Sequence, residues 1–331
     1  MLSPNSPWRI CIAPMLNWTD RHYRYLMRQI TRHTRLYTEM VTANALYFGQ
    51  ADKHLTFDPI EMPLALQIAG DEPKKLAYCA QLAQKWGYAE VNLNVGCPAL
   101  RAQQGNFGAC LMHQVNRVKE GIDAMRQASD IELSIKHRIG LDNATDYDFL
   151  THFVGTLYEA GCQTFIVHAR VALLNASPKK NRQVPPLQYD WVYRLKQDYP
   201  SATIVINGGI QTIEAMYQHL NHVDGVMIGR KAYREPYFFA LIDQAFFGKE
   251  ATPPDRLSLV QIMSNYIRRE IPNPSIALIR TITRHMLHLY QGEPGAKYWR
   301  WQLSNLDKSI CQDPNWLDQI AQGIDHHKAS S

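Results

Sequence analysis

The chain has 331 residues, 46% apolar, 20% charged and 10% aromatic, with a net charge of +5. That composition belongs to a folded globular protein and excludes a disordered chain, a collagen-like rod or a small disulfide scaffold. No window approaches about 18 consecutive apolar residues, and Met1 to Trp8 form neither a basic nor an apolar leader, so no membrane partner or secretory signal is expected and the compartment expected is cytoplasmic.

Up to about residue 247, short β-rich runs alternate with helical periodicity. The runs are Arg9 to Met15, Arg35 to Val41, Leu64 to Gly70, Glu90 to Gly96, Leu133 to Gly140, Thr164 to Arg170, Thr203 to Gly209 and Val223 to Arg230. Several are apolar almost throughout, as parallel strands buried on both faces must be. Helix-start signals such as Asp71-Glu72-Pro73 and Thr212-Ile213-Glu214 fall between them. Eight such units predict an α/β fold, a (β/α)8 TIM barrel, over residues 1–250. Only the stretch from Thr42 to Pro63 lacks a clean helical period. Beyond Gly248, Pro253-Pro254 breaks the chain, and helices alone are expected from about Arg256, Pro274, Pro294 and Pro314 onward. Residues 251–331 therefore read as a small all-helical domain. Its basic residues cluster as Arg268, Arg269, Arg280, Arg284, Lys297 and Arg300, against only Glu270 and Glu293 in that window. A solvated helix face explains most such runs, but a polyanionic partner is also compatible with it.

A barrel of this kind carries its site at the C-terminal ends of the strands. Polar residues gather there: Gln67 on the third run, Asn92, Asn94 and Cys97 on the fourth, Lys136 and Arg138 on the fifth, His168 and Arg170 on the sixth. The loops after strands seven and eight commonly bind phosphate, because glycine lets backbone N–H groups approach an anion closely. Gly208, Gly209 and Gly229, with Arg230 beside them, therefore predict a phosphorylated ligand. Pro14 and Met15 can shelve a flat ring, and Gln67, Lys136 and His168 can hydrogen-bond its edge, a pattern that suggests flavin mononucleotide (FMN). Lys136 has a rival reading as the Schiff-base lysine of an aldolase. That role needs a depressed pKa, whereas a lysine beside a flavin works fully charged, and the second reading is preferred.

Six cysteines are scattered along the chain without a CxxC pair, which predicts reduced thiols and no metal site. Cys11, Cys79, Cys110, Cys162 and Cys311 read as packing residues. Cys97 differs, because a Gly-Cys-Pro turn at a strand end holds it over the mouth. A cysteine thiol, with its reference pKa of about 8.5, keeps its proton at neutral pH and so suits a proton donor better than a nucleophile. Asn94, three residues earlier, is placed to hold a substrate's edge.

These segments closely resemble the tRNA-dihydrouridine synthases over essentially the whole chain. The most specific are APMLNWTDRHYR, LYTEMVT, NLNVGCPALRAQQGNFGACLM, SIKHRIG, VHAR with the downstream SPKKNRQVPPL, VINGGI and GVMIGRKAY. MLNWTDRH, HARVALLNASPKKNRQVPPL and ITRHMLHLYQGEPGAKYWR resemble the subgroup that modifies uridines at tRNA positions 20 and 20a. The resemblance implies tRNA as partner, NADPH as reductant and a monomer without an obligate protein partner. It implies FMN contacts at Pro14, Met15, Leu16, Gln67, Lys136, His168, Asn207, Gly208, Gly209, Gly229 and Arg230, and Cys97 as the catalytic proton donor. Asn94 and Arg182 would meet the uracil or its nucleotide, and Lys180, Lys297 and Arg300 the tRNA. Three departures stand out: Asn17 where aspartate is usual, His137 where threonine is usual, and Ala99-Leu100 where Ser-Asp or Ser-Lys is more typical. None removes a catalytic group.

Reducing a uracil 5,6 double bond needs a hydride at C6 and a proton at C5, which a reduced flavin and the Cys97 thiol can supply. The base must swing out of folded tRNA at a cost of roughly a few kcal/mol, which phosphate contacts can offset. The loop from Arg170 to Arg182 holds Arg170, Lys179, Lys180 and Arg182 and no acid, as such contacts require. Two rivals remain: an FMN barrel acting on a free pyrimidine, as dihydroorotate dehydrogenases do, and a non-catalytic tRNA-binding protein. The first leaves the basic helices idle, and intact Cys97, Lys136 and His168 count against the second.

Overall fold

The computed structural model describes residues 6–177, 179–248, 252–311 and 313–328; the side chains of 310, 311 and 325–328, Cys311 included, lie outside the described residues. By its contacts the chain forms two compact units, residues 1–16 with 34–229 and residues 17–33 with 230–331.

The first unit is a parallel barrel. Its strands are β1 (Ile10–Ile12), β2 (Leu36–Tyr37), β3 (Val41–Thr42), β4 (Leu64–Ala69), β5 (Glu90–Val95), β6 (Glu132–Leu141), β7 (Thr164–Ala172), β8 (Thr203–Asn207) and β9 (Gly225–Ile228). They pair in the order β1-β9-β8-β7-β6-β5-β4-β2, with β3 also on β4. A parallel bridge between Cys11 and Arg35 joins the two ends of that order: Ile12 N donates to Arg35 O at 2.9 Å and Arg35 N to Ile10 O at 3.0 Å. Every strand except the second follows its predicted run. The run from Arg35 to Val41 is interrupted because Gln67 N donates to the Thr38 hydroxyl at 2.9 Å, so a side chain takes the place of a ladder partner. The chain bulges there and resumes as β3. The stretch without helical period folds as two short helices, Ala43–Phe48 and Ala51–Leu55, and a 3-10 turn.

Period-two alternation decides what fills the barrel. Cys11, Ala13, Tyr37, Ala65, Ile166, Val205 and Met227 form one buried apolar cluster. Glu90, Asn92, Gln67 and Ser134 are also buried, on the neighbouring strands β4 to β6. The residues between them, such as Val91, Leu93 and Ile135, pack the outer face beneath the helices. Helix Pro73–Trp86 shows both sequence signals at work, with proline in its first turn and Gly87 ending it at φ 83°.

The second unit contains the four predicted C-terminal helices, Arg256–Glu270, Ile276–Thr283, Ala296–Ser304 and Trp316–Lys328, the third of which carries the fully buried Trp299. It also takes in helix Arg21–Ile30 and the segment 230–247, so the division does not follow a single cut at residue 250. The reason lies in polar partners far apart in sequence. Asp20 caps helix Arg21–Ile30 and pairs with Arg284 at 2.5 Å and His285 at 3.0 Å, while the Thr31 hydroxyl donates to Asp243 at 2.7 Å. No helix among the described residues is long and apolar enough to cross a membrane.

Candidate functional site

In the barrel, Gln67, Asn92, Asn94, Lys136, His168 and Asn207 occupy neighbouring register positions toward the C-terminal ends of β4 to β8. Gln67 pairs with Asn92, Asn94 with Lys136, and His168 with both Arg138 and Asn207. Direct bonds tie several together. Gln67 Nε2 donates to Asn92 Oδ1 at 2.7 Å, Asn94 Nδ2 to Gln67 Oε1 at 3.0 Å, and Lys136 Nζ to Asn207 Oδ1 at 3.2 Å.

The Cys97 turn is built by its neighbours. Asn94 Oδ1 accepts from Gly96 N at 3.1 Å and Cys97 N at 3.0 Å, and Cys97 O accepts from Ala109 N at 2.8 Å. A Cβ on Gly108, at φ +79°, would fall 2.5 Å from Cys97 O, so glycine is required for that closure. Gln103 Nε2 fastens the turn to the loop after β7, donating to Pro98 O at 3.1 Å and Leu174 O at 2.6 Å. Cys97 is half-buried. By contrast, burial pushes the thiols of Cys79 and Cys162 up to about 12, and Cys11 is also raised. Those three are inert packing groups; Cys110 is half-buried with its Sγ against Phe107 O.

Cations crowd the same end. Burial, then the charge of Arg138, draws Lys136 down to about 7, with Cys97 acting in the opposite sense. This finding removes one ground for preferring the flavin reading, because a lysine so depressed is also what Schiff-base chemistry uses. Burial likewise lowers Arg138 to about 10; Cys97 opposes that, and Arg170 and Arg182 add to it. Arg138 donates to Gly96 O at 3.2 Å. Lys179 and Lys180 are exposed and Arg182 half-buried on the loop after β7. That loop is pegged by a buried residue the sequence did not single out: Asn181 exchanges bonds with Leu173 N at 2.8 Å and Leu173 O at 2.7 Å.

The glycines divide into two kinds. Gly208 and Gly209 have φ of +121° and +73°, and a Cβ on either would strike His168, Leu187 or Tyr189, so the fold itself demands glycine there. Gly229 is different. Its added Cβ would meet only Ala13 Cβ at 3.9 Å and Met15 Sδ at 4.0 Å, and its φ needs no glycine. A side chain at Gly229 would thus touch Ala13 and Met15 at ordinary contact distance without displacing either. Pro14 and Met15 are half-buried and Leu16 exposed. The set can hold a flat, polar-edged molecule with an anionic tail.

In the second unit, Arg230 opens a short helix and is exposed, as is Lys297, while Arg300 donates to Gln291 at 3.0 Å. The basic surface there is smaller than the sequence count suggests. Arg284 pairs with Asp20, Arg269 with Glu270 at 3.1 Å, and Arg268 donates to Pro314 O and Asn265. Asn17 adopts φ 63°, a left-handed conformation that asparagine and aspartate both tolerate. His137 faces away from the barrel interior against Phe153, and Leu100 is exposed on a short helix after Cys97. Neither removes a group from the site.

The family model described as dihydrouridine synthase matches residues 11–324. The chain is 50% identical over 314 residues, 95% of its length and 93% of the relative's, to a tRNA-dihydrouridine(20/20a) synthase of Synechocystis sp.. It is 50% identical over 303 residues, 91% of its length and 90% of the relative's, to that of Shewanella oneidensis. With that of Escherichia coli strain K12 it shares 47% over 312 residues, 94% of the chain and 90% of the relative. A match running through the barrel and the C-terminal helices alike, at half identity, is membership and not merely a shared fold: the chain belongs to the dihydrouridine synthase family.

Proposed function

We propose that this protein reduces the C5=C6 bond of uridine in tRNA to 5,6-dihydrouridine, at D-loop positions 20 and 20a, with FMN as cofactor and NADPH as reductant. The observation that carries the reading is the Cys97 turn, held by Asn94 at the end of β5 beside the register position of Lys136. Relatives named for this activity align over nearly the whole chain.

The glycine at Gly229, which neither its φ nor its neighbours demand, and the polar rim around Lys136 suit FMN. Pro14, Met15, Leu16, Gln67, Lys136, His168, Asn207, Gly208, Gly209, Gly229 and Arg230 would hold it. Bound there and reduced, it supplies the hydride for C6 of the uracil. C6 is electrophilic because C5=C6 is conjugated to the C4 carbonyl, and hydride arrival leaves an enolate that is basic at C5. Cys97 gives its thiol proton to C5, and the resulting thiolate is reprotonated from solvent. Asn94 holds the uracil edge. Arg182 and Lys180 meet the phosphates around the extruded nucleotide, and Lys297 and Arg300 bind the tRNA elsewhere.

The test is dihydrouridine mapping in tRNA from cells lacking the gene, with reduction of isolated tRNA and of free uridine compared in vitro. Loss at positions 20 and 20a, restored by the protein acting on tRNA alone, is expected. Dihydrouridine retained at both positions overturns the assignment.

A further inference from the structure

A continuous chain of buried side chains runs between the Cys97 turn and Glu90, at the start of β5. Gly96 N–H and Cys97 N–H donate to Asn94 Oδ1, Asn94 Nδ2 to Gln67 Oε1, and Gln67 Nε2 to Asn92 Oδ1. Asn92 Nδ2 donates to Ser134 Oγ at 2.6 Å, and the Ser134 hydroxyl donates to Glu90 Oε1. Every bond points the same way. The two ends explain why, for each has only one possible role. Backbone N–H groups can only donate. The Glu90 carboxylate can only accept, and Arg35 at 2.6 Å and Trp8 Nε1 at 2.9 Å already donate to its Oε2, with Tyr37 at 3.2 Å from Oε1.

Reversing Asn94 or Gln67 would set oxygen against oxygen on one side and NH2 against a donor on the other, and reversing Asn92 would set its NH2 against Gln67 Nε2 and draw the Ser134 hydroxyl away from Glu90, in an interior closed to solvent. The chain is therefore all-or-none. Its polarity is fixed from the Glu90 end and delivered as the orientation of Asn94, which carries the Cys97 turn. Glu90, Asn92 and Ser134 have 0%, 0% and 1% of their surface exposed, so none of them is open to a ligand.

We infer that Ser134 and Asn92 are positioning residues, through which the Glu90 carboxylate sets the amide orientation that holds the Cys97 turn. The inference rests on the proposed role of Cys97 as proton donor. The spare hydrogen of Asn94 Nδ2 follows from the same wiring: its Oδ1 is engaged by two N–H groups, so donation is what it has left to offer a ligand.

The test compares Ser134→Thr with Ser134→Val, which have nearly equal volume and differ in the hydroxyl. A packing role moves both alike; wiring separates them. Hydrogen exchange of the peptide carrying Gly96 and Cys97 is followed in each protein, together with kcat and KM for tRNA. In Ser134→Val, exchange should quicken and kcat fall, each by about tenfold relative to Ser134→Thr, with KM unchanged. Should Ser134→Val not fold, Asn92→Asp and Asn92→Leu make the same comparison. A buried, uncompensated aspartic acid stays protonated, and its O–H and C=O replace the amide's donor and acceptor. Asn92→Asp should therefore keep the slow exchange that Asn92→Leu loses. Equal exchange within the pairs overturns the inference. A wild-type protein that forms no dihydrouridine overturns instead the reading of function, and the exchange comparison still decides the wiring.

Discussion

Asn94 Oδ1 accepts the backbone N–H of Cys97 at 3.0 Å, so the side chain proposed to hold the uracil is also the peg of the turn that carries the thiol. Losing it should therefore damage two functions at once. We expect Asn94→Ala to lower kcat by about 10² or more, on the scale of a lost placed general acid, while raising the rate at which iodoacetamide alkylates Cys97. Measuring both distinguishes the peg from the uracil contact. An alkylation rate unchanged from wild type would mean the turn stands without its peg.

Lys136 gives a pH dependence with a definite sign. In the protein it lies at about 7, below its ordinary 10.5, because burial and Arg138 disfavour its charge. Between those two values the unfolded chain binds a proton that the folded chain does not, so this group's contribution to stability rises with pH from about 7 to 10.5. An electron-rich ligand edge against the ammonium reverses the balance. We expect FMN binding at pH 8 to take up a proton, seen by calorimetry in buffers of different ionisation enthalpy. Affinity should weaken as pH rises above about 7, and Lys136→Met should abolish the uptake. Binding without proton exchange at pH 8 would place Lys136 away from the ligand.

Much of the barrel could be read in the sequence, because parallel strands buried on both faces write themselves as unbroken apolar runs. The Cys97 turn and the glycine loops were legible for the same reason, since strand ends locate themselves once strands are known. Glu90, Ser134 and Arg35 were not. A charge or hydroxyl inside a strand looks like ordinary alternation until pairing across β4, β5 and β6 brings Glu90 to Arg35 and Ser134. Asp20 with Arg284 and His285 was invisible for a related reason, its partners being more than 260 residues away. Those bonds join helix Arg21–Ile30 to the C-terminal helices, which no local pattern announces.

The same pairs refine what charge removal should do to tRNA binding. Lys180, Arg182, Lys297 and Arg300 have no ion pair among the described residues, whereas Arg284 is held by Asp20. Each of the four, replaced by glutamine, should weaken tRNA binding and flatten its dependence on salt by about one unit of log-log slope for every phosphate deprived of its cation, with flavin content unchanged. Arg284→Gln should instead lower thermal stability. If the quadruple variant binds tRNA as wild type does, these side chains are only a solvated surface.

The sharpest expectation concerns Cys97, because its proposed task comes late in the reaction. On the proposed order, in which NADPH reduces the flavin before the base enters, Cys97→Ala should keep its yellow colour, its reduction by NADPH and its affinity for tRNA. What it lacks is the proton for C5. Without it the enolate left by hydride arrival at C6 has no partner and reverts, and dihydrouridine formation should fall by about 10² or more. Stopped-flow absorbance reads this directly: the reduced variant should stay bleached when tRNA is added, while wild type recovers its colour. Cys110→Ala is the control. Its thiol is half-buried and bonded to Phe107 O at 3.2 Å, and burial pushes its pKa up, so it is neither poised to give a proton nor part of the Asn94 turn. That variant should react as wild type does. Dihydrouridine formed at an undiminished rate by Cys97→Ala would mean that water or another group protonates C5. The Asn94 turn would then have to be explained by something other than placing a thiol.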